Sequence, residues 1–387
     1  MTHSAALQRL DRLEGFLRDD PDNPALLNDT FDTALQAGEW PRAEAVLRRG
    51  LERGGDPWGW RSKEVHWLIA QQRLTDARAA LHALASASGL PEALRPVVAH
   101  DLAFLALREH TPEPGLLELA PWVEVDAQQP VAPALEVLWL RLMHHATRLD
   151  DAMAWARARW AAGTLSAPAA GVAALVALDA NDLPTALLWA DHALGAHGGP
   201  SEALVARASV ALVRQEVALA RTLLGNALQH NPADGRVLSA LGFADLLERR
   251  LPDARSRLTS AVQAIPHHVG TWHALGWTCL LQGDLDAALQ AFRHAVDLDR
   301  NFAESHGGLA VVLAVRNERE AAAESIRRAM GLDRENLSGR YAQAVLDGEA
   351  RDPRQLDALA TRLLGGRAAP FGGSLRELLP SIPSEKP

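Results

Sequence analysis

Apolar residues recur along most of the chain at spacings of three and four, which is the period of one face of an α-helix. In residues 272–298, WHALGWTCLLQGDLDAALQAFRHAVDL, two such stretches flank the polar turn QGDLD at 282–286. An Asp in this turn suits a helix N-cap, because its carboxylate accepts hydrogen bonds from the first N–H groups of the following helix. The pattern therefore predicts two helices joined by a tight turn.

The same arrangement returns every 34 residues. With Val269 as position 1, small residues stand at positions 8, 20 and 27 and large ones at positions 4, 7 and 24. Six consecutive units, beginning at 133, 167, 201, 235, 269 and 303, keep this register without an insertion. Small residues at 8 and 20 let the two helices of a unit cross closely, and the large residue at 24 fills the space around the crossing.

These spacings resemble the tetratricopeptide repeat, W-x2-L-G-x2-Y followed by A-x3-F and P. Trp272, Gly276 and Phe292 stand at matching positions, while Cys279 replaces the usual Tyr and Arg300 the usual Pro. The resemblance implies an all-α fold, a right-handed α-solenoid or superhelix of about nine to ten helix–turn–helix pairs.

The register divides the chain into five predicted segments. A lone opening helix over 4–18 and weaker repeats starting at 24 and 58 occupy the first segment, and the register fails after 92. Register resumes at 133, seven residues later than a 34-residue period requires, and residues 111–133 carry five prolines. The predicted segments are degenerate repeats at 1–110, an irregular Pro-rich insertion at 111–132, six repeats at 133–336, a capping helix pair at 337–365 and a flexible tail at 366–387.

Composition and charge narrow the function classes. The 387 residues carry a net charge of −9, without a Lys/Arg block interleaved with aromatics, which argues against nucleic-acid binding. The single cysteine, Cys279, suits a reducing compartment. The N-terminus has no apolar core of signal-peptide length, and no stretch of 18 apolar residues could span a membrane. We therefore expect a cytoplasmic protein that does not insert into membranes.

The resemblance also implies where a partner binds. In tetratricopeptide arrays the first helix of each repeat lines a concave groove through positions 2, 5, 9, 12 and 13, which the repeat does not dictate. Trp277 is prominent because Trp272 already fills the packing position; it could anchor a peptide or pack against the neighbouring first helix. The predicted partner-binding groove consists of Val205, Ser209, Ser239, Phe243, His273, Trp277, Leu280 and Val311.

The amino-terminal repeats present a polar version of the same surface. Their inner positions predict a secondary groove of Asn28, Asp32, His66, His100, Arg141 and His144. The carboxylate clamp that some members of the family use to hold a chaperone's acidic C-terminus is not expected, since no Lys/Arg pair follows Asn28 at the required positions.

No pattern indicates catalysis or a cofactor. The paired histidines at 144–145 and 267–268 are adjacent on the chain, so on a helix they point about 100° apart and form no natural chelate. Nucleotide-binding and nucleophile motifs are absent from the sequence. We expect no catalytic residue, no metal and no cofactor.

The resulting hypothesis is a non-enzymatic adaptor, scaffold or chaperone that holds a peptide or partner protein in the groove. Resemblance to bacterial tetratricopeptide proteins implies a role in assembling a multi-protein machine. Two alternatives stay open: a structural homo-oligomer of stacked arrays, and an accessory subunit that positions a separate enzyme. A further hypothesis is that the tail segment SLRELL at 374–379 plugs the groove.

Overall fold

The computed structural model describes residues 3–53, 55–195 and 199–348. Over these residues the chain forms twenty α-helices and one short 3₁₀ turn, without a β-strand. This confirms the predicted all-α repeat fold. The second half of the predicted cap at 353–364, the tail at 366–387 and the plug at 374–379 lie outside the described residues. The chain forms two compact units, residues 1–176 and 177–387, which are described separately.

The first unit opens with a single helix and continues as helix–turn–helix pairs. Its helices are α1 (His3–Asp19), α2 (Pro24–Gln36), α3 (Trp40–Arg53), α4 (Pro57–Ala70), α5 (Leu74–Ala85), α6 (Arg95–Arg108), α7 (Pro112–Val123), α8 (Pro133–His145) and α9 (Leu149–Ala162). The boundary between the units falls inside α10 (Ala167–Asp179).

The second unit continues the same order. Its helices are α11 (Leu183–Gly195), α12 (Ser201–Val213), α13 (Val217–His230), α14 (Gly235–Leu247), α15 (Leu251–Ala264), α16 (Val269–Leu281), α17 (Leu285–Leu298), α18 (Ala303–Val315), α19 (Arg319–Leu332) and α20 (Leu337–Leu346). We call α12, α14, α16 and α18 the A helices of this unit; each contacts the next along the chain.

Packing within a pair follows the predicted register. Phe292 at position 24 is fully buried, and a Cβ built on Gly276 at position 8 would lie 2.9 Å from its ring. One repeat earlier, a Cβ on Gly242 would lie 2.6 Å from Cγ of Leu258. Glycine at position 8 therefore lets the large side chain of the second helix rest directly on the backbone of the first.

A left-handed residue ends the first helix of each pair, at position 15. It is Gly at 38 and 283, but elsewhere it is a non-glycine residue with φ between 57° and 61°, at 72, 110, 147, 181, 215, 249 and 317. The N–H groups of this residue and the next bond back to helix carbonyls, as those of Gly283 and Asp284 do to Leu280 and Cys279. Asp284 then caps α17 by accepting a hydrogen bond from the Ala287 N–H, as predicted.

The spacing of these turn residues shows where the seven additional residues lie in the structure. Successive turn residues lie 34 apart except that His110 follows Gln72 by 38 residues and Thr147 follows His110 by 37. The seven extra residues are therefore divided, four before α6 and three after it. The first part is accommodated by the 3₁₀ turn Glu92–Leu94 and the second by the loop 124–132.

Residues 111–132 are not irregular throughout, because α7 occupies 112–123. Pro112 and Pro114 stand in its first turn, where a backbone N–H has no partner within the helix and proline is tolerated. The following loop is held by Arg159, whose guanidinium donates to the carbonyls of Gln129 at 2.9 Å and Val123 at 3.3 Å. The loop is thus fixed to α9 by buried hydrogen bonds.

Candidate functional site

An apolar surface runs along the A helices of the second unit at position 13. Val213, Leu247, Leu281 and Val315 occupy this position, and the last three are 41%, 49% and 47% exposed. We call these four residues the edge stripe. Neighbouring Phe243 at position 9 of α14 is 41% exposed and extends the apolar surface. Exposed apolar residues repeated at one position of successive repeats mark a candidate interaction surface, whereas scattered ones are usual on any protein.

Several charged residues in and beside the A–B turns pair with one another. Arg250 donates to Asp253 at 2.9 Å, and Arg316 donates to Glu318 at 2.6 Å. Arg255 donates to Asp284 at 2.7 Å. An apolar surface rimmed by charges that already have partners is typical of protein interaction sites.

Four of the predicted groove residues meet at one pocket of about 230 Å³ between α12 and α14. Val205 and Ser209 from α12 face Ser239 and Phe243 from α14. One wall of the pocket is closed by an ion pair that reasoning from the sequence missed, in which Arg236 donates to both carboxylate oxygens of Asp179 at 3.1 and 2.8 Å. The two residues stand 57 positions apart, so no local spacing signals the contact.

The hydroxyl of Ser239 takes part in a short hydrogen-bond chain on the same face. Ser239 Oγ and Thr271 Oγ1 lie 2.8 Å apart, and Thr271 Oγ1 lies 2.6 Å from Nδ1 of His268. Thr271 is fully buried, and the chain links α14 to α16. The polar group of Ser239 is therefore used within the protein, while its pocket-lining surface is largely apolar.

His273 and Trp277 lie against each other rather than projecting separately from α16. The Trp277 indole N–H donates to Nε2 of His273 at 2.9 Å, and both rings meet Phe292 edge-on at centroid distances of 5.7 and 5.5 Å. Burial lowers the pKa of His273 to about 4, so the imidazole is neutral at pH 7 and can accept this bond. The half-buried Trp277 thus packs on Phe292 of α17, the second helix of its own pair, and only part of its ring is accessible.

The prediction that Val311 faces a partner is wrong. Val311 is 1% exposed and belongs to the hydrophobic cluster that includes Leu275 of α16 and Ala342 of α20. It is covered because α18 packs directly against both neighbouring first helices. Val205 is also buried at 4% exposure, although it lines the pocket, and Leu280 is half-buried.

The predicted polar residues of the first unit form two separate clusters. His66 from α4 and His100 from α6 both bond to the carboxylate of Asp101, at 3.1 and 3.0 Å. Asp32 of α2 accepts a 2.5 Å hydrogen bond from Nζ of Lys63. The polar groups of Asp32, His66 and His100 are therefore already hydrogen-bonded within the protein.

The remaining polar predictions fall elsewhere in this unit. The Asn28 amide donates to the carbonyl of Pro24 one turn earlier in its own helix, at 2.8 Å. Arg141 and His144 lie on α8, and both already take part in interactions. Asp101 and Lys63, which hold the clusters together, are not among the residues predicted from the sequence. His66 lies 35 residues from Asp101 and Asp32 lies 31 residues from Lys63, so a scan near the repeat period for opposite charges would have found these two contacts.

The pKa of His66 is shifted upward, in the opposite direction to the pKa of His273. The hydrogen bond to Asp101 raises the pKa of His66, against the lowering effect of its burial. Burial acts to raise the pKa of Asp101, but the hydrogen bonds from His100 and His66 hold it below its usual value. The carboxylate is therefore ionised at neutral pH and fixes the orientation of both imidazoles.

The described part of the chain offers no arrangement for metal chemistry. Over residues 3–53, 55–195 and 199–348, no three His, Cys, Asp or Glu side chains are placed so that they could hold a metal ion. None of the helices described combines the length and hydropathy needed to cross a membrane.

Comparison with known proteins identifies the repeat. Residues 269–302 match the tetratricopeptide repeat family, the unit from which the register was numbered. No curated protein matches the chain in sequence.

Solved structures of the same fold are numerous and distant in sequence. The Cut9–Hcn1 hetero-tetramer structure of the APC/C is 15% identical with a TM-score of 0.60, over 84% of this chain and 62% of the other. This chain therefore spans less than two thirds of that relative. IFIT1 in complex with m7Gppp-AAAA is 14% identical with a TM-score of 0.55, over 92% and 91% of the two chains. At these identities the similarity shows a tetratricopeptide-type helical repeat fold.

Proposed function

We propose that the protein is a non-enzymatic scaffold that holds an apolar segment of a partner protein against the edge stripe and Phe243. The observation that carries this proposal is the exposure of Leu247, Leu281 and Val315 at one position of three successive repeats. Helical repeat folds of this kind serve as protein-interaction scaffolds, and a surface extended over several repeats can follow an extended or helical segment.

The chemistry of the surface defines the partner segment. Positions 9, 12 and 13 of the four A helices carry no charged side chain, and Arg250 and Arg316 beside the stripe are paired with Asp253 and Glu318. A segment with one apolar face would remove the edge stripe from water without leaving a charge unpaired. The segment's polar face would remain hydrated at the rim.

The finer role is part of the same proposal. The protein would act in the cytoplasm of a bacterium as an adaptor or chaperone during assembly of a multi-protein machine, without binding nucleic acid. The resemblance of its repeats to bacterial tetratricopeptide proteins supports the first part, and the net charge of −9 supports the second.

The test compares two exposed leucines on different helices of the same unit. Leu281→Glu places a charge on the edge stripe, whereas Leu188→Glu places one on α11 at a side chain of similar exposure, 51% against 49%. Both variants should keep the helicity and melting temperature of the wild type. Affinity purification from native lysate should recover a partner with the wild type and Leu188→Glu, but not with Leu281→Glu.

The recovered partner is then titrated against the purified proteins. Leu281→Glu should weaken binding about tenfold or more, because it removes a buried apolar contact and desolvates a charge. Equal affinity of both variants would place the binding site elsewhere. Recovery of this chain alone, together with concentration-dependent assembly, would favour the homo-oligomer.

A further inference from the structure

A second pocket lies in the first unit, between the opening helix and the second helix of the first pair. It measures about 560 Å³, within the range of ligand-sized sites, and is formed by α1, α2, α3 and the turn after α1. The A helices of the second unit contribute nothing to it, so it is independent of the edge stripe.

The floor of this pocket is apolar. Leu17, Leu27 and Val46 form it, and all three side chains are buried. Pro21 and Pro41 add apolar surface to the lining. An apolar floor of this kind accepts a hydrocarbon side chain, because filling it removes apolar surface from water on both partners.

The rim of the pocket is cationic. Arg18 from α1 and Arg42 and Arg49 from α3 line it, with Glu14 as the one acidic lining residue. Glu14 is already neutralised, since its two carboxylate oxygens accept hydrogen bonds from Arg42 at 2.7 and 2.6 Å. Arg42 also donates a hydrogen bond to Asp11, so it links α1 to α3.

The other two arginines retain donor capacity. Within the described residues the Arg18 guanidinium makes no ion pair, and its side chain is exposed. The Arg49 guanidinium reaches a carboxylate, that of Asp22, only at 3.7 Å, and Asp22 is shared with Arg53 at 3.6 Å. Two guanidinium groups with unused N–H donors therefore stand at the mouth of an apolar pocket.

We propose that this pocket binds a partner segment in which an apolar side chain is followed or preceded by a carboxylate. The apolar group would occupy the floor of Leu17, Leu27 and Val46, and the carboxylate would accept charge-assisted hydrogen bonds from Arg18 and Arg49. Charge complementarity selects this occupant, because the lining offers two underused cations and no underused anion.

The test uses defined peptides and the full chain. The probe is a fluorescein-labelled peptide with the core Glu-Phe-Leu-Glu, and its two controls replace both Glu by Gln or both apolar residues by Gly. Fluorescence anisotropy should show saturable binding of the first peptide only, weakening as the salt concentration rises.

Matched variants locate the binding. Arg18→Ala with Arg49→Ala should weaken the peptide about tenfold, since two charge-assisted contacts are lost. Arg48→Ala is the control, because Arg48 lies next to Arg49 on α3 but is 74% exposed and pairs with Glu44 on its own helix. Ala45→Trp fills the pocket from an exposed lining position and should abolish binding while circular dichroism stays unchanged.

Three results would overturn the proposal. Equal binding of the acidic and Gln peptides would remove the role of the arginines. Equal loss of affinity in Arg48→Ala would reduce the effect to general surface charge. Saturable binding of dodecanoate, with none of the acidic peptide, would make the pocket a site for small amphiphiles instead.

Discussion

Among the described glycines of the second unit, Gly308 on α18 leaves the least room for an added Cβ atom. A Cβ built there would lie 2.3 Å from Cε1 of Phe292, with two further ring atoms at 2.6 and 2.7 Å. The ring cannot retreat, because Gly276 of α16 lies on it as well, with a hypothetical Cβ at 2.9 Å. Phe292 is fully buried between these two glycines of successive repeats.

The size of the effect of Gly308→Ala follows from two opposing terms. Normal carbon contacts begin near 3.4 Å, so α18 or the ring must shift by about 1 Å, and overpacking of this kind costs about 1–3 kcal/mol. Replacing Gly by Ala inside a helix stabilises the folded protein by about 0.5–1 kcal/mol. We expect the variant to be destabilised by about 1–2 kcal/mol.

The assay is urea unfolding followed by circular dichroism, with two internal controls. Gly331→Ala on α19 makes the same chemical change in a helix where no atom lies within 4 Å of the new Cβ, so it should be stabilising by about 0.5–1 kcal/mol. In a Phe292→Ala background the cost of Gly308→Ala should largely disappear, because the ring that it contacts is gone.

A shift of the same sign and size for Gly308→Ala and Gly331→Ala would refute this reasoning. It would mean that Gly308 is not held against Phe292, and the register of α18 on α17 would be in error. An unchanged cost in the Phe292→Ala background would locate the strain at another neighbour.

Three further predictions concern charged and titrating groups. Asp245 is fully buried between Arg221 at 2.6 Å and Arg257 at 2.5 Å, so Asp245→Asn should lower the free energy of unfolding by about 3 kcal/mol in denaturant titrations. Because the pKa of His273 is lowered in the folded protein, unfolding below pH 6.5 takes up a proton. The contribution of His273 to stability should therefore be constant above pH 6.5 and should fall by up to about 3 kcal/mol as the pH drops towards 4. His273→Gln should flatten this slope. His66 has a raised pKa, so its contribution to the free energy of unfolding should be complete below pH 6.5 and should be lost as the pH rises through its folded-state pKa. His66→Gln should remove this pH dependence from melting curves measured between pH 5.5 and 8.5.

The regular repeats were readable from the sequence because their packing depends on residues within one 34-residue unit. Ala254, Leu258 and Ala261 were placed at positions 20, 24 and 27, and all three are fully buried. The weaker units behave alike, with Ala77 and Leu81 also fully buried at positions 20 and 24. The spacing and the size of the side chains were sufficient to predict these buried positions, because both are determined by the way the two helices of a unit cross.

The insertion and the site could not be read in the same way. The four-plus-three division depends on the left-handed residue at position 15, which is Gln72, His110 and Thr147 around the insertion and has no shared residue type. The pairing of Trp277 with His273 is a rotamer choice within one helix. Periodicity assigns residues to faces, but it does not determine which polar atoms bond to one another.

The apolar character of the edge stripe is not a requirement of the fold. The same position, two residues before each left-handed turn residue, is occupied by Gln36, Ala70, Arg108 and His145 in the first unit, and their pairs form in the same way. A polar residue is therefore compatible with every contact that position makes in a repeat. Three of the four apolar residues of the stripe, Leu247, Leu281 and Val315, leave hydrocarbon in water. The exposed run is best explained by a partner that covers it, which is why the edge stripe, rather than the more conspicuous Trp277, carries the proposed function.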